Sequence, residues 1–520
     1  MQPQQSANKS LTYESDSGAF TAYRISDNML LLLLGSAVAL FHILTNGQYG
    51  FHRDELDILM NARQLAWGYV AYPPITPFIA RIGLELFGSS LVGLRLFPAL
   101  AQGMVVVLTG LMARDFGGGR WAQVIAAVAA AIAPVALTTG TLIQYMSFDY
   151  LWWVLLSLCT VRLLRTDDPR WWLGMGAAIG LGMMTKYTMI FFVAGLVVAI
   201  LITSARRYLR SPWLWAGAGL AILIFLPNLL WQMQHDFISI DFLNAIHARD
   251  LAWGRADSYL PDQLYVTANP FVLPLWLAGL AFLLFTPAGK PFRPLAWMYI
   301  VTFALLLISR GRSYYLAPAY PVLLAAGSAW LESWIQSLPG RKAKGIQGGI
   351  AVVLLIGALL AIVTSKPVVP ANSLLWDMAI NVNATAAEMI GWPDLAEQVA
   401  EIYAELPAEQ RAATVILAGN YGEAGALDLY SQEYDLPRVI SGANSLWARG
   451  YGDPAPETVI VVGFDGQYAQ RYFAKCQVAG HVTNRYGVQN EESTRHTTIF
   501  VCQEPRHPWA EMWPTMQWFQ

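Results

Sequence analysis

The sequence predicts a polytopic α-helical membrane protein of about eleven spans, with a small α/β domain at its C-terminal end. Two observations carry that expectation. Apolar residues gather in runs long enough to cross roughly 30 Å of hydrocarbon, and Lys and Arg return in every second connecting segment. Charged residues make up 13% of the chain and hydrophobic ones 55%, whereas about a quarter of a soluble domain is charged. A net charge of -2 without a basic tract points to no nucleic-acid partner.

The apolar runs lie near residues 29–45, 91–112, 121–138, 143–163, 171–186, 188–204, 213–231, 270–287, 295–309, 314–334 and 347–365. Cytoplasmic loops retain cations. Arg114 and Arg120, then Arg162, Arg165 and Arg170, then Arg206, Arg207 and Arg210, then Lys290 and Arg293, then Arg341, Lys342 and Lys344 mark alternate loops. The phase holds throughout. It places the polar residues 1–28 in the cytoplasm as a tail, 29–365 in the bilayer and 366–520 outside. Residues 1–28 show no cleavable signal pattern, so the first span is expected to stay as an anchor.

Two long outer segments remain, 46–90 and 232–269. In the first, apolar residues at helical spacing in Glu55–Trp67 and Ile75–Ile82 predict helices lying in the membrane interface, parted by Tyr72-Pro73-Pro74. Beyond Pro370, a helix over Leu395–Leu406 and β-rich runs Val415–Ala418, Val459–Val462 and Thr498–Cys502 predict the α/β domain. Cys159 sits in an apolar run and reads as packing. Cys476 and Cys502 both fall in the outer region, where a disulfide is permitted but not required.

Ionisable residues at outer span ends need an explanation, because burying a charge near lipid costs several kcal/mol unless it is paired or hydrated. The first group is His52-Arg53-Asp54-Glu55. Its acids can take a proton from an attacking hydroxyl, or Asp54 can simply cap the helix that follows. Asp149 at the outer end of the fourth run is either a functional acid or half of a structural pair. Lys186 either snorkels or holds a phosphate. Arg310 and Arg312, with Tyr314 and Tyr315, suit a phosphate's bidentate geometry or an anionic headgroup. His235-Asp236 invites a metal, but one His without spaced partners is a weak ligand set. Acids and cations from separate segments thus converge on one leaflet.

Phe51-His52-Arg53-Asp54-Glu55-Leu56, Trp67-Gly68-Tyr69-Val70 and Tyr72-Pro73-Pro74 resemble the first outer loop of bacterial glycosyltransferase family 39 proteins. These are relatives of protein O-mannosyltransferases and of the aminoarabinose transferase acting on lipid A. The likeness continues in order through Leu94-Arg95-Leu96-Phe97-Pro98, Met146-Ser147-Phe148-Asp149, Thr185-Lys186-Tyr187, Pro227-Asn228-Leu229-Leu230-Trp231 and Tyr314-Tyr315-Leu316-Ala317-Pro318. Asn420-Tyr421-Gly422-Glu423-Ala424-Gly425-Ala426 is similar to one subgroup.

The resemblance implies a GT-C fold in a bacterial inner membrane, with a periplasmic active site and C-terminal domain. It implies inverting transfer of a sugar from a polyprenyl-phosphate carrier to a glycan, lipid or protein acceptor. Asp54 would be the base, with Glu55 and Asp149 as further active-site acids. Lys186, Arg310, Arg312, Tyr314 and Tyr315 would meet the donor phosphate, and Arg53, Tyr72 and His235 are further candidates. No ligand cluster requires a metal, although a divalent ion is compatible with the chemistry. One departure is visible: the lipid A transferases carry a phosphate-binding Lys just before Pro-Pro, where this chain has Tyr72. The rival class is a lipid or sugar transporter, whose internal repeats and midplane charges are not evident in the sequence.

Overall fold

The computed structural model describes residues 25–520. Most of the expected tail, residues 1–24, lies outside the described residues. Every apolar run is helical. The helices are Asp27–Thr45, Leu96–Asp115, Arg120–Ala131 with Pro134–Thr139, Tyr145–Thr166, Trp171–Met183, Met189–Ile202, Pro212–Gln234, Leu273–Phe285, Arg293–Ile308, Tyr320–Gln336 and Gly340–Ser365. Six helices among the described residues are long and apolar enough to cross a bilayer, and up to eight if two sharply bent pairs each form one span. The chain is a multi-pass membrane protein. Apolar runs outnumber full-length spans because helices such as Arg120–Ala131 and Trp171–Met183 are apolar but short.

Close helix approach comes from small residues. A Cβ on Gly176 would stand 2.1 Å from the Gly217 carbonyl oxygen, so Trp171–Met183 and Pro212–Gln234 meet backbone to backbone. At one end of the bundle, cations pair between helices. Arg120 donates to Asp27 at 2.8 Å and Arg162 to Asp115 at 3.1 Å, Arg165 also pairs with Asp115, and Arg207 pairs with Asp167 at 2.7 Å. At the opposite end Lys366 is buried, donating to Asn46 Oδ1 at 2.6 Å and Thr141 Oγ1 at 2.7 Å.

Residues after the last long helix form a five-stranded sheet in the order β2-β1-β3-β5-β4. Strands β1 (Thr414–Ala418), β2 (Val439–Ile440) and β3 (Thr458–Val462) are parallel; β4 (Phe473–His481) and β5 (Thr498–Pro505) complete the sheet antiparallel. Every residue of β1 and β3 is buried, as expected of apolar runs covered on both faces. Strand β4 lacks that signature because most of its residues face outward at the sheet edge. Cys476 of β4 lies opposite Cys502 of β5, and the two form a disulfide; Cys159 is free and buried. The expected amphipathic helix runs over Trp392–Glu405 and buries Leu395, Val399 and Ile402.

The sheet domain packs directly on the segment that follows the first long helix. Helix Tyr421–Leu429 lies against helix Arg53–Arg63, and a Cβ on Gly425 would come within 2.7 Å of Leu56. Leu56 and Leu59 share one core with Leu395, Val399 and Leu427. The expectation of an interfacial Glu55–Trp67 helix is therefore corrected. The helix spans Arg53–Arg63, with residues 55–62 buried beneath the sheet domain. Ile75–Phe87 behaves as expected of an amphipathic surface helix, leaving Ile82, Leu86 and Phe87 exposed.

Candidate active site

The first turn of Arg53–Arg63 separates two adjacent acids. His52 caps the helix, accepting from the Asp54 N–H at 3.2 Å, while Glu55 reaches back to the His52 N–H at 2.8 Å. Asp54 is thus not the cap that the sequence allowed. Its Oδ1 accepts from Tyr421 Oη of the sheet domain at 2.9 Å, and its side chain remains 28% exposed. Burial, then the Asp54 charge, holds the Tyr421 phenol well above its ordinary pKa, so it stays a donor.

Glu55 is fully buried and fully used. Arg95 donates to it from Nε at 3.0 Å and Nη2 at 2.6 Å, and the Ile143 N–H donates at 2.9 Å. Arg95, also fully buried, donates further to the Asn46 and Gly50 carbonyls, both at 2.7 Å. The expectation of Glu55 as a catalytic acid is corrected on this geometry. Its oxygens join the start of the outer helix to two membrane helices and keep no free face for a substrate.

Lys186 lies in the turn between Trp171–Met183 and Met189–Ile202 and is 8% exposed. Its ammonium donates to Met146 Sδ at 2.7 Å. It stands over the rings of Tyr145, Tyr314 and Tyr315 at 5.0, 5.4 and 3.9 Å. Among the described residues no carboxylate lies within 4.0 Å of it. Aromatic faces attract a cation without forming a salt bridge to it. Asp149, Arg312 and Asp54 all act on Lys186 through their charges. Asp149 is buried, its oxygens accepting from Trp153 Nε1 at 3.0 Å and Thr188 Oγ1 at 3.2 Å.

Arg312 grips Asp250 through Nε at 2.5 Å and Nη2 at 3.0 Å, and its Nη1 donates to Tyr314 Oη at 3.2 Å. Arg255 reaches the same carboxylate at 3.3 Å and Arg249 approaches it at 4.0 Å. Three guanidinium groups therefore share one acid. The Arg249 Nε is buried without a hydrogen-bond partner. Arg249, Asp250, Tyr145 and Tyr421 were not singled out from the sequence. The first two were within reach of the rule that flagged Lys186, since Arg249 and Arg255 are cations in an expected outer loop.

Four candidates lie apart. Arg53 turns to the sheet domain, pairing with Glu491 and, at 3.6 Å, with Glu388, while its guanidinium lies 5.1 Å over the Tyr421 ring. Tyr72 donates to Asp57 and accepts from Asn61 at 2.7 Å, and its ring lies 5.6 Å from Tyr145. Burial raises the Asp57 carboxyl to about 6 despite the Tyr72 hydrogen bond. His235 stacks on Trp231 at 4.0 Å and its Nδ1 meets the Trp231 carbonyl at 2.8 Å, which leaves it structural. Arg310 is an exposed partner of Asp257 at 2.9 Å. Among the described residues no group of three His, Cys, Asp or Glu side chains comes together as a metal site.

The family model for dolichyl-phosphate-mannose-protein mannosyltransferase matches residues 71–231, which include Asp149 and Lys186. The solved structure of ArnT from Cupriavidus metallidurans bound to undecaprenyl phosphate superposes with a TM-score of 0.54, covering 90% of this chain and 97% of that one at 17% identity. The chain shares the fold of that structure. It is 27% identical over 249 residues to a lipid A galacturonosyltransferase of Rhizobium johnstonii, covering 46% of this chain and 50% of that one. It is 31% identical over 236 residues to an undecaprenyl phosphate-α-4-amino-4-deoxy-L-arabinose arabinosyl transferase of Pseudomonas fluorescens, covering 42% and 40%. The chain spans about half the length of these curated relatives.

Proposed function

We propose that the protein transfers a sugar from a polyprenyl-phosphate carrier to an acceptor hydroxyl, in one inverting displacement on the outer face of a bacterial inner membrane. The observation that carries this reading is the pairing state of its charges. Asp54 is an open carboxylate held by one phenol, and it lies within electrostatic reach of Lys186, which has no carboxylate within 4.0 Å. The relatives act on lipid A or use undecaprenyl-phosphate sugars by their names, which supports the same donor class here.

In the proposed step the acceptor oxygen attacks the anomeric carbon and its proton passes to Asp54. The bond from that carbon to the phosphate oxygen breaks, and polyprenyl phosphate leaves as an anion. Lys186, Arg312 and Arg249 meet the charge growing on that oxygen, and cations aimed there lower the barrier. Arg249 is the substitute for the cation that Tyr72 displaces from the Pro-Pro segment, because its Nε lacks a partner. Glu55 and Asp149 hold helices and side chains in place. The disulfide of the sheet domain supports an oxidising compartment on that side, with the N-terminus inside and all eleven apolar helices embedded.

The test is release of free polyprenyl phosphate from polyprenyl-phosphate sugars by purified wild-type and Asp54→Asn protein. Release by the wild type alone is expected. Equal release by both would remove Asp54 as the base, and no release with any donor would favour a transporter.

A further inference from the structure

The sheet domain holds a cavity of about 430 Å³, which the transfer reaction as described does not use. It opens where β1 and β3 end, at Gly419 and Gly463. Open α/β sheets bind ligands at the carboxyl ends of parallel strands, and the volume falls within the roughly 300–1,000 Å³ of small-molecule sites. The glycines keep it open: a Cβ on Gly463 would stand 2.0 Å from Glu423 Oε2.

The chemistry of the walls selects the ligand. Such strand ends often hold a phosphate on the N–H groups of the next helix. Here those groups are occupied by the protein itself. The Asn420 side chain accepts from the Glu423 N–H at 2.8 Å, and Glu423 accepts from the Gly419 and Asn420 N–H groups at 3.0 and 3.1 Å. The acids Glu423, Glu491 and Glu492 and the cations Arg471 and Arg495, with His496, line the same space, so its walls carry no excess of positive charge to hold an anion.

Donors and acceptors remain without partners. Glu492 is 6% exposed, yet neither of its oxygens has a hydrogen-bond partner. The buried Tyr468 hydroxyl and Trp518 indole nitrogen are also unpartnered. Unpaired buried polar groups destabilise a fold, and here residues carrying both kinds line one cavity, which suits a ligand that donates and accepts. Phe464 stacks on Tyr468 at 3.9 Å and meets Trp518 edge-on at 5.3 Å, which makes an aromatic wall. A neutral polyhydroxylated ring has hydroxyls for the first set of groups and a C–H face for the second.

We propose that this cavity is a saccharide-binding site that seats a neutral sugar ring of the acceptor, an assignment to the acceptor that rests on the transfer reaction proposed above. Its position suits the role. Asn420 and Glu423 of the cavity flank Tyr421, whose hydroxyl holds Asp54. The helix that Asn420 caps, which carries Glu423 at the cavity, thus also carries the phenol that holds Asp54.

Calorimetric titration of the full-length protein in lipid nanodiscs with the methyl glycosides of glucose, galactose and galacturonic acid tests the site. A neutral glycoside is expected to bind, with the galacturonide at least about tenfold weaker. Glu492→Gln, which keeps the side-chain shape, and Trp518→Leu should each raise the Kd of the neutral glycoside about tenfold or more. Asp54→Asn should bind it as the wild type does, so loss of the transfer reading leaves the site standing and the reverse also holds. Failure of every glycoside to saturate the wild type below about 10 mM, or wild-type affinity in both cavity variants, would overturn the proposal.

Discussion

The two ends of the helical bundle treat charge differently. At the end carrying Arg120, Arg162, Arg165 and Arg207, cations meet Asp27, Asp115 and Asp167 across helix boundaries. At the other end Lys186 faces three tyrosines, three arginines divide one Asp250, and Asp54 is left partly open. The first end has the charge balance of a topological anchor. The second gathers cations that outnumber the acid they share and leaves the Asp54 carboxylate partly exposed, an arrangement that suits the proposed departure of a phosphate. Sequence position does not tell the two kinds of charge apart; partners do.

Adjacent acids show the same contrast on a smaller scale, and they give the largest predicted effect. Arg95→Met strands the buried Glu55 carboxylate and should destabilise the protein by about 3–5 kcal/mol, read as lost yield and a lower unfolding temperature. The double variant Arg95→Met, Glu55→Leu should recover much of that loss, since apolar replacement of a buried pair is often neutral. Continued instability of the double variant would mean that Glu55 does more than join helices.

Next in size are the cations of the open end. Lys186→Met and Arg312→Gln should each lower kcat by about 10²–10³ while the fold persists, as expected when a group that stabilises developing charge is removed. A matching loss in Arg165→Gln, at the paired end, would erase the distinction between the two ends.

Tyr421→Phe removes the single phenol that positions Asp54. A hydrogen bond to a charged group contributes about 1.5–3 kcal/mol, so kcat should fall by about ten to a hundredfold with the donor KM unchanged. A purely structural role would instead lower the unfolding temperature and spare kcat.

The last effect concerns pH and accumulates gradually. Burial, then the Glu492 charge, raises the Glu423 carboxyl to about 8, and burial, then Glu492, raises Glu388 to about 7. Each folded pKa exceeds the ordinary value of 4.5, so folding takes up protons. Stability should decline as pH rises from about 4.5 toward 8, by up to about 1.4 kcal/mol per pH unit for Glu423. Glu423→Gln should flatten that slope in thermal unfolding of the sheet domain; an unchanged slope would place the titrating group elsewhere.

Much of the fold was legible because long apolar runs report directly on helices. Strands β1, β3 and β5 were visible as continuous β-rich runs. Strand β4 was not, since the exposed edge strand Phe473–His481 is interrupted by Lys475, Gln477 and Gly480 and gives no continuous β-rich run. Asp54, Asp149, Lys186 and Arg312 stood out as charges in costly places, and the structure gathers them. Glu55 stood out equally, but its partner Arg95 lies on another helix, and only that contact reveals it as structural. Tyr421 was invisible as a site residue because it comes from the sheet domain, 367 residues away along the chain. Local patterns report where a charge sits; the partner that decides its role is set by tertiary packing.

The central claim is that Asp54 at the open end takes the acceptor's proton. The most direct measurement is the single-turnover rate of sugar transfer in Asp54→Asn beside Arg165→Gln, both with confirmed folding. The account predicts a loss of about 10²–10⁴ for the first and a rate near the wild type for the second. A wild-type rate in Asp54→Asn, or equal losses in both, would contradict it.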